Sequence, residues 1–373
     1  MVERCAGALW EAAIAGDEYA AVDAAIAAVE AGVPVETMIL DVVAAVQARV
    51  GQAWADNVIT VAQEHTATAV NESVLVVVAA HPAAREHLPA PDKGRICVAC
   101  VDGEWHTFPV RLLAEVLRLR GWRVDYLGAH VPTPHLVVHL HRTGPDTVAL
   151  SSSIATRLPA AHGAITACQA ASTPVLVGGA AFGPDGRYAR LLGADAWAPD
   201  ARAAAELLDR GPLPRRAGTE AGTGAGTGAG AGTVAGREYV VLGERTPDLV
   251  RGVMDELRRH TPADGPDGAP DGGPAAGPRD RRLPGYTAED VASIVDFLRA
   301  AAYVEDPTLF TSFAGWMARM LTARGVPEPA LPAALDAMAA RLADLPHARA
   351  ALARARGAAP AGVRRAGRGR PGR

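Results

Sequence analysis

The chain has 373 residues, 49% of them apolar, and a formal net charge of only -4. That length allows two or three domains with sizeable cores, and the small charge excludes a general case for a nucleic-acid or membrane-surface protein. No basic stretch followed by an apolar core opens the chain, and no apolar run reaches the roughly 18 residues a bilayer requires, so the expectation is a soluble cytoplasmic protein with no membrane partner.

From Leu9 to about Ala80 the sequence is rich in Ala, Val, Leu and Glu at helical spacing, broken at Ala15-Gly16-Asp17 and Gly32-Val33-Pro34. This predicts four antiparallel helices, within a bundle domain spanning residues 1–86. Thr60 and Gln63 form a capping box, which starts the fourth helix and leaves Ala55 to Ile59 as the connection before it. That connection reverses the chain, so Trp54, at the end of one helix, can meet Glu64 and His65 in the early turns of the next.

After Pro82 and a polar stretch to Lys93, strands and helices alternate from Arg95 to Leu208. The predicted strands are Arg95–Val101, Arg123–Leu127, Thr147–Leu150, Pro174–Val177 and Ala194–Ala198. The helices between and after them are Pro109–Arg120, Thr133–His141, Leu158–Ala171, one near Gly186–Leu192 and Ala201–Leu208. This rhythm predicts a flavodoxin-like α/β domain over residues 93–212, a doubly wound parallel sheet with helices on both faces. Cys97 and Cys100 have the spacing of a redox or zinc pair, but they sit in an apolar strand where residues three apart face opposite ways, and a buried structural role is the reading preferred. With Cys5 and Cys168 they make four cysteines, too few for a disulfide scaffold and suited to a reducing compartment. His135 and His139 lie one helical turn apart but lack a third ligand, so a solvent-facing helix surface is expected for them.

Residues 213–236, a Gly-Ala-Thr repeat for most of their length, read as a flexible linker, because such a composition cannot bury enough apolar surface to order itself. A helical C-terminal domain is predicted over residues 237–360, with a disordered insert near 261–284. Within it Thr287 and Asp290 cap one helix. Asp306-Pro307 opens another, whose apolar positions from Leu309 to Leu321 recur at three and four until Gly325 and Pro327. Residues 361–373 read as a basic disordered tail.

The segments that leave the carboxyl ends of the strands carry the chemistry. Glu104, two residues before His106, can hydrogen-bond one imidazole nitrogen and aim the other at a metal. Ser151-Ser152-Ser153 ends the third strand and Gly178-Gly179 the fourth. A glycine admits a group that a Cβ would block, and small hydroxyls satisfy polar atoms in a slot beside the strands.

This set resembles the cobalamin-binding domain of methionine synthases, mutases and cobalamin light sensors. The resemblance covers roughly Lys93 to Leu208. It implies that His106 replaces the cofactor's own base as the lower cobalt ligand, with Glu104 behind it, while Ser151, Ser153, Gly178 and Gly179 line the pocket for the displaced nucleotide tail. The family pattern usually has Gly three residues after the histidine. Here Pro109 stands there, which is tolerated in a helix's first turn but tightens the loop.

Trp54, a nine-residue gap and Glu64-His65 resemble the bundle of the light sensors related to the CarH photoreceptor. By that resemblance the bundle caps the upper face of adenosylcobalamin, with Trp54 against the adenosyl group and Glu64 and His65 near it. Some of those sensors have a histidine directly after the tryptophan that captures cobalt after illumination; Ala55 stands there in this chain, leaving the part to His65 or water. The order of bundle, cobalamin domain and helical C-terminal domain is similar to that of the photocobilins, which implies biliverdin as a second chromophore, held non-covalently because the last cysteine is Cys168.

The function expected on this resemblance is a non-enzymatic photoreceptor: light-driven loss of the adenosyl group changes domain packing or oligomeric state. A corrinoid carrier of a methyltransferase system is the alternative. The expected partners are a second copy of the chain, in a light-dependent way, and a downstream protein that the sequence does not name. Direct DNA binding is not expected, because the light-regulated repressors carry a helix-turn-helix ahead of the bundle and this chain enters the bundle near its first residue.

Overall fold

The computed structural model describes residues 1–86, 88–215, 234–260, 287–326 and 329–358. They belong to two compact units, Met1–Gly230 and Ala231–Arg373.

The first unit begins with four long helical rods. α1 (Val2–Ala15) ends at Gly16, whose φ of +70° is the left-handed cap that glycine adopts without strain. α2 (Glu18–Glu30) starts where the Asp17 side chain accepts from the Ala20 N–H. The third rod runs without a break through α3 (Val35–Thr37), a π-helical stretch Met38–Val43 and α4 (Ala44–Ala55). α5 (Val61–Ala80) opens on the expected capping box: Thr60 Oγ1 accepts from Gln63 N at 3.2 Å and Thr60 N donates to Gln63 Oε1 at 3.0 Å. The first helix begins at Val2 rather than near Leu9: Val2, Cys5, Ala6 and Leu9 already follow the i, i+3, i+4, i+7 spacing of an apolar face and pack on the bundle core. Pro82, read as a separator, instead opens the one-turn helix α6 (Pro82–Glu86), as a proline without an N–H can in a first turn.

Five parallel strands follow: β1 (Arg95–Cys100), β2 (Arg123–Gly128), β3 (Thr147–Ser151), β4 (Val175–Gly178) and β5 (Ala196–Ala198). They are joined by α7 (Thr107–Leu119), α8 (Thr133–Thr143), α9 (Leu158–Ala170) and α10 (Arg187–Leu191), and α11 (Ala201–Asp209) closes the domain. The spatial order β2-β1-β3-β4-β5 is the flavodoxin-like one, with its direction of winding reversing between β1 and β3. Short 3₁₀ turns at Ala155–Arg157 and Ala180–Phe182 leave β3 and β4, where sequence periodicity gave no signal.

Central strands covered on both faces need continuous apolar runs, and β1 supplies one, with Ile96 to Cys100 fully buried. Ile96, Val98 and Cys100 point to the face covered by α7, where the sheet core runs on into the bundle core through Val110 and Leu117. Burial pushes the thiols of Cys97, Cys100 and Cys168 up to about 12, so all three are protonated, inert packing groups. His139 departs from the solvent-facing expectation: its Nε2 lies 3.1 Å from Asp125 Oδ2, on a carboxylate that Arg95 grips with two nitrogens.

The second unit is helical: α12 (Val234–His260), α13 (Ala288–Tyr303), α14 (Pro307–Ala323), α15 (Ala330–Arg341) and α16 (Pro346–Ala358). Its caps at Thr287 and Asp306 are those the sequence suggested, and Phe297 stacks on Phe313 at 3.8 Å in its interior. Glu238, 3% exposed, accepts from the backbone N–H groups of His347 and Ala348 and so anchors the start of α16 to α12. The expected linker, the insert near 261–284 and the basic tail fall wholly or mostly outside the described residues. No described helix is long and apolar enough to cross a membrane.

Candidate functional site

The loop leaving β1 is held to the loop leaving β3 by one carboxylate. Glu104, 1% exposed, lies where the winding of the sheet reverses. Its Oε1 accepts from the His106 backbone N–H at 2.9 Å and meets His106 Nδ1 at 2.5 Å. Its Oε2 accepts from Ser153 N at 2.7 Å, from Ile154 N at 3.3 Å and from Ser152 Oγ at 3.3 Å. Burial alone would push this carboxyl up, but the His106 ring and the backbone N–H groups of His106 and Ser153 outweigh it and hold it down at about 2.

His106 is the N-cap of α7, with its side chain about half exposed. The hydrogen bond to Glu104 raises its pKa against the effect of burial, and the charges of Glu104 and of Glu64 in the bundle raise it further. With Nδ1 engaged by Glu104, Nε2 is the nitrogen left to donate a lone pair outward.

The loop carrying this pair is braced from the side. Gly103, at a φ of +76°, donates its N–H to His130 Nδ1 at 2.9 Å. The His130 N–H donates to the Glu104 carbonyl at 2.9 Å, and its ring stacks on Trp105 at 4.9 Å.

Beside it, at the carboxyl ends of β3, β4 and β5, lies a cleft of about 90 Å³ walled by Ser151, Gly178, Gly179 and Ala198 on the sheet side and by Pro109 and Leu113 of α7 on the other. At Gly179, φ is +99° and a Cβ would stand 2.2 Å from the Ser152 carbonyl oxygen. At Gly178 a Cβ would meet the Ala198 carbonyl at 3.3 Å. Ser153 lies outside the walls of this cleft, bound through its N–H to Glu104.

The bundle reaches the same loop through α5. Thr107 Oγ1, one residue after His106, donates to Glu72 Oε1 at 3.4 Å. Glu64, eight residues earlier, holds His65 Nδ1 on one oxygen at 2.5 Å and accepts from Thr68 on the other at 3.0 Å. The rest of the His65 ring is largely exposed, and Trp54 packs half-buried against the bundle core. The structure therefore joins Glu104, His106 and Ser153 by hydrogen bonds and gathers Ser151, Gly178 and Gly179 on one cleft. It sets Glu64 within electrostatic reach of His106. Sequence reasoning passed over Ser152 as a partner of Glu104, although the triple serine was its signal, and over the His130 brace, for which sequence spacing carries no signal.

The donor set suits a metal that brings most of its ligands with it. Among the described residues no three His, Cys, Asp or Glu side chains cluster as a metal cage, and His106, backed by its buried carboxylate, offers one imidazole nitrogen. The two glycines and Ser151 line the cleft, where a Cβ at Gly178 would meet the Ala198 carbonyl of the same wall. A planar macrocycle with a pendant arm would use those features, the end of the arm entering the 90 Å³ cleft only as its helical wall gives way.

Comparison with known proteins gives the class. Residues 94–208 match the family described as "B12 binding domain", and residues 6–78 match a second family of the same description. The sheet domain and the bundle thus each match a family model of that description. Over 96 residues the chain is 38% identical to the HTH-type transcriptional repressor CarA of Myxococcus xanthus, a match over 24% of this chain and 32% of that protein. The chain thus spans about a third of the length of that curated relative. Among solved structures it is similar to a monomethylamine corrinoid protein of Methanosarcina barkeri, at 20% identity and a TM-score of 0.47 over 54% of this chain and 96% of that one. It is also similar to a cobalamin-binding protein from Desulfitobacterium hafniense DCB-2, at 18% identity and a TM-score of 0.31 over 55% and 97%. One expectation is corrected by these findings. The exclusion of direct DNA binding does not stand beside a relative that is a helix-turn-helix repressor, a class that docks in DNA grooves, and where a chain starts was no ground for it.

Proposed function

We propose that the chain is a non-enzymatic cobalamin sensor of the light-responsive kind, holding adenosylcobalamin between the sheet domain and the bundle. The observation that carries this reading is His106, bonded through Nδ1 to the buried Glu104, at the start of the helix whose first turn walls the cleft of Ser151, Gly178 and Gly179. When bound, the cofactor supplies a cobalt–carbon bond that visible light can break.

The chain's own residues do the rest. Glu104 keeps a proton on His106 Nδ1 and fixes the ring so that Nε2 faces the metal. Ser151, Gly178 and Gly179 would hold the cofactor's nucleotide tail. Trp54, Glu64 and His65 would cover the bundle side of the cofactor, so that what the bundle packs against would depend on the group carried there. The bundle then repacks, and that repacking is the signal. The reading extends to biliverdin as a second, non-covalent chromophore of the C-terminal unit, since all four cysteines are buried residues of the first unit.

The test is the absorption spectrum of the full chain loaded with adenosylcobalamin, in the dark and after green light, for the wild type and His106→Ala. A histidine-ligated spectrum that changes on illumination, and that His106→Ala lacks, is the expected result. A spectrum indifferent to light, with methyl transfer to an added acceptor, would replace the sensor by a corrinoid carrier.

A further inference from the structure

A line of hydrogen bonds crosses the bundle and ends on Glu64. On α5, Glu64, Thr68 and Asn71 are spaced four and three apart and so share one stripe of the helix. Gln47 on α4 faces that stripe, two helical turns before Trp54. Asn71 Nδ2 donates to Gln47 Oε1 at 2.7 Å, Gln47 Nε2 donates to Thr68 Oγ1 at 2.7 Å, and Thr68 Oγ1 donates to Glu64 Oε1 at 3.0 Å.

The direction of these bonds is forced. Thr68 has one hydroxyl proton and a carboxylate can only accept it, so Thr68 must accept from the Gln47 amide nitrogen. That leaves the Gln47 carbonyl to accept from Asn71. Every donor points toward Glu64, and such a chain polarises its members in one sense. The far end is costly: Asn71 is fully buried and its Oδ1 has no hydrogen-bond partner. A position serving stability alone would be better filled by an apolar side chain, since an unsatisfied buried acceptor carries its full desolvation penalty. At the near end, Thr68 and His65 each occupy one Glu64 oxygen, and each oxygen keeps acceptor capacity.

We infer that Thr68, Gln47 and Asn71 are positioning residues that fix Glu64 as a hydrogen-bond acceptor for the upper ligand of the cobalamin, so that the bundle selects a hydroxyl-bearing upper group over one without donors. The inference rests on the cobalamin reading. An adenosyl group has two ribose hydroxyls to offer such an acceptor and a methyl group has none.

The test titrates the full-length protein in the dark with adenosylcobalamin and with methylcobalamin, and records melting temperature alongside. Thr68→Val, nearly isosteric, lowers the preference for the adenosyl form by about tenfold, the effect of one lost acceptor alignment, with methylcobalamin affinity little changed. Gln47→Leu shifts the preference in the same direction, Thr68→Ser restores it, and Thr68→Val adds nothing in a Glu64→Gln background. If both affinities fall together with melting temperature, or the preference is unchanged, the residues are merely structural and the inference is overturned. If the wild type takes up neither corrinoid, the cobalamin reading itself fails and takes this inference with it.

Discussion

At the scale of single residues, the Glu104 carboxylate is the group on which the site turns. It takes five donors on two oxygens, so replacing it with Gln keeps the shape but sets an amide NH₂ against N–H groups or against the imidazole. Glu104→Gln should cost about 1–3 kcal/mol, the penalty for buried donors left unmatched, and should lower the melting temperature of the cofactor-free protein. A variant as stable as wild type would show that the bonds to Ser153 and His106 contribute nothing net. The sign of the pH effect follows from the direction of the shift. The folded pKa is about 2, below the ordinary 4.5, so the stabilisation is complete above pH 4.5 and drains away as pH falls toward 2. Urea midpoints measured across that window should fall more steeply for wild type than for Glu104→Gln; parallel curves would contradict the assignment. His106 contributes in the opposite sense. Its pKa is raised, so its pairing stabilises the cofactor-free fold below the ordinary histidine pKa and is lost as pH climbs through the raised one.

At the scale of elements, the cleft beside β3, β4 and β5 is narrow. Its 90 Å³ is less than the roughly 150 Å³ cavity that holds a single benzene, so an aromatic base can enter only if α7 or α11 yields. Pro109, in the first turn of α7, stiffens one wall. Pro109→Gly should therefore quicken loading of cobalamin, read as the rate of the spectral change on mixing; an unchanged rate would place the barrier elsewhere. On the opposite wall, Gly179→Ala puts a methyl group 2.2 Å from the Ser152 carbonyl at a φ of +99°. Strain of that kind alone costs about 1–3 kcal/mol, and the melting temperature should fall accordingly. The elements around this cleft were legible because central strands must be apolar on both faces and turns need Gly, Pro or polar caps. Ser151, Gly178 and Gly179 could be placed from strand ends alone. Ser152 could not, since which serine of three turns toward Glu104 depends on how the chain bends after β3. The His130 brace was invisible for a related reason, as it joins loops 27 residues apart. The π-helical stretch Met38–Val43 and the pairing of His139 with Asp125 likewise arise from tertiary contacts, to which a 3.6-residue period is blind.

At the scale of the first unit as a whole, bundle and sheet domain are joined by an apolar seam along α7 and by ion pairs at its rim. Arg120, with a side chain 18% exposed, reaches Glu36 of the bundle at 2.6 Å and Asp209 of α11 at 3.1 Å. Arg202 reaches Asp41 at 2.7 Å. The Arg120 cluster lies at the end of α7 away from His106, whereas Arg202 opens α11 beside the cleft, so the Arg120 pairs are the ones about which the bundle would pivot while Trp54 and Glu64 move. Removing Arg120 leaves Glu36 without its cation while Asp209 keeps Lys93 at 2.6 Å, a loss between that of a surface pair and that of a buried one, on the order of 1–3 kcal/mol. Because the seam itself is apolar, the expected effect is loosening rather than separation. In Arg120→Ala, amide hydrogen exchange should accelerate in α3, the π-helical stretch and α4 while β1, β3 and β4 keep wild-type protection. Raising ionic strength should do the same to wild type in part, since pairs this exposed are screened. Equal acceleration in bundle and sheet would mean that the two share one cooperative unit, and a signal carried by bundle repacking would then have to unfold the site that senses it.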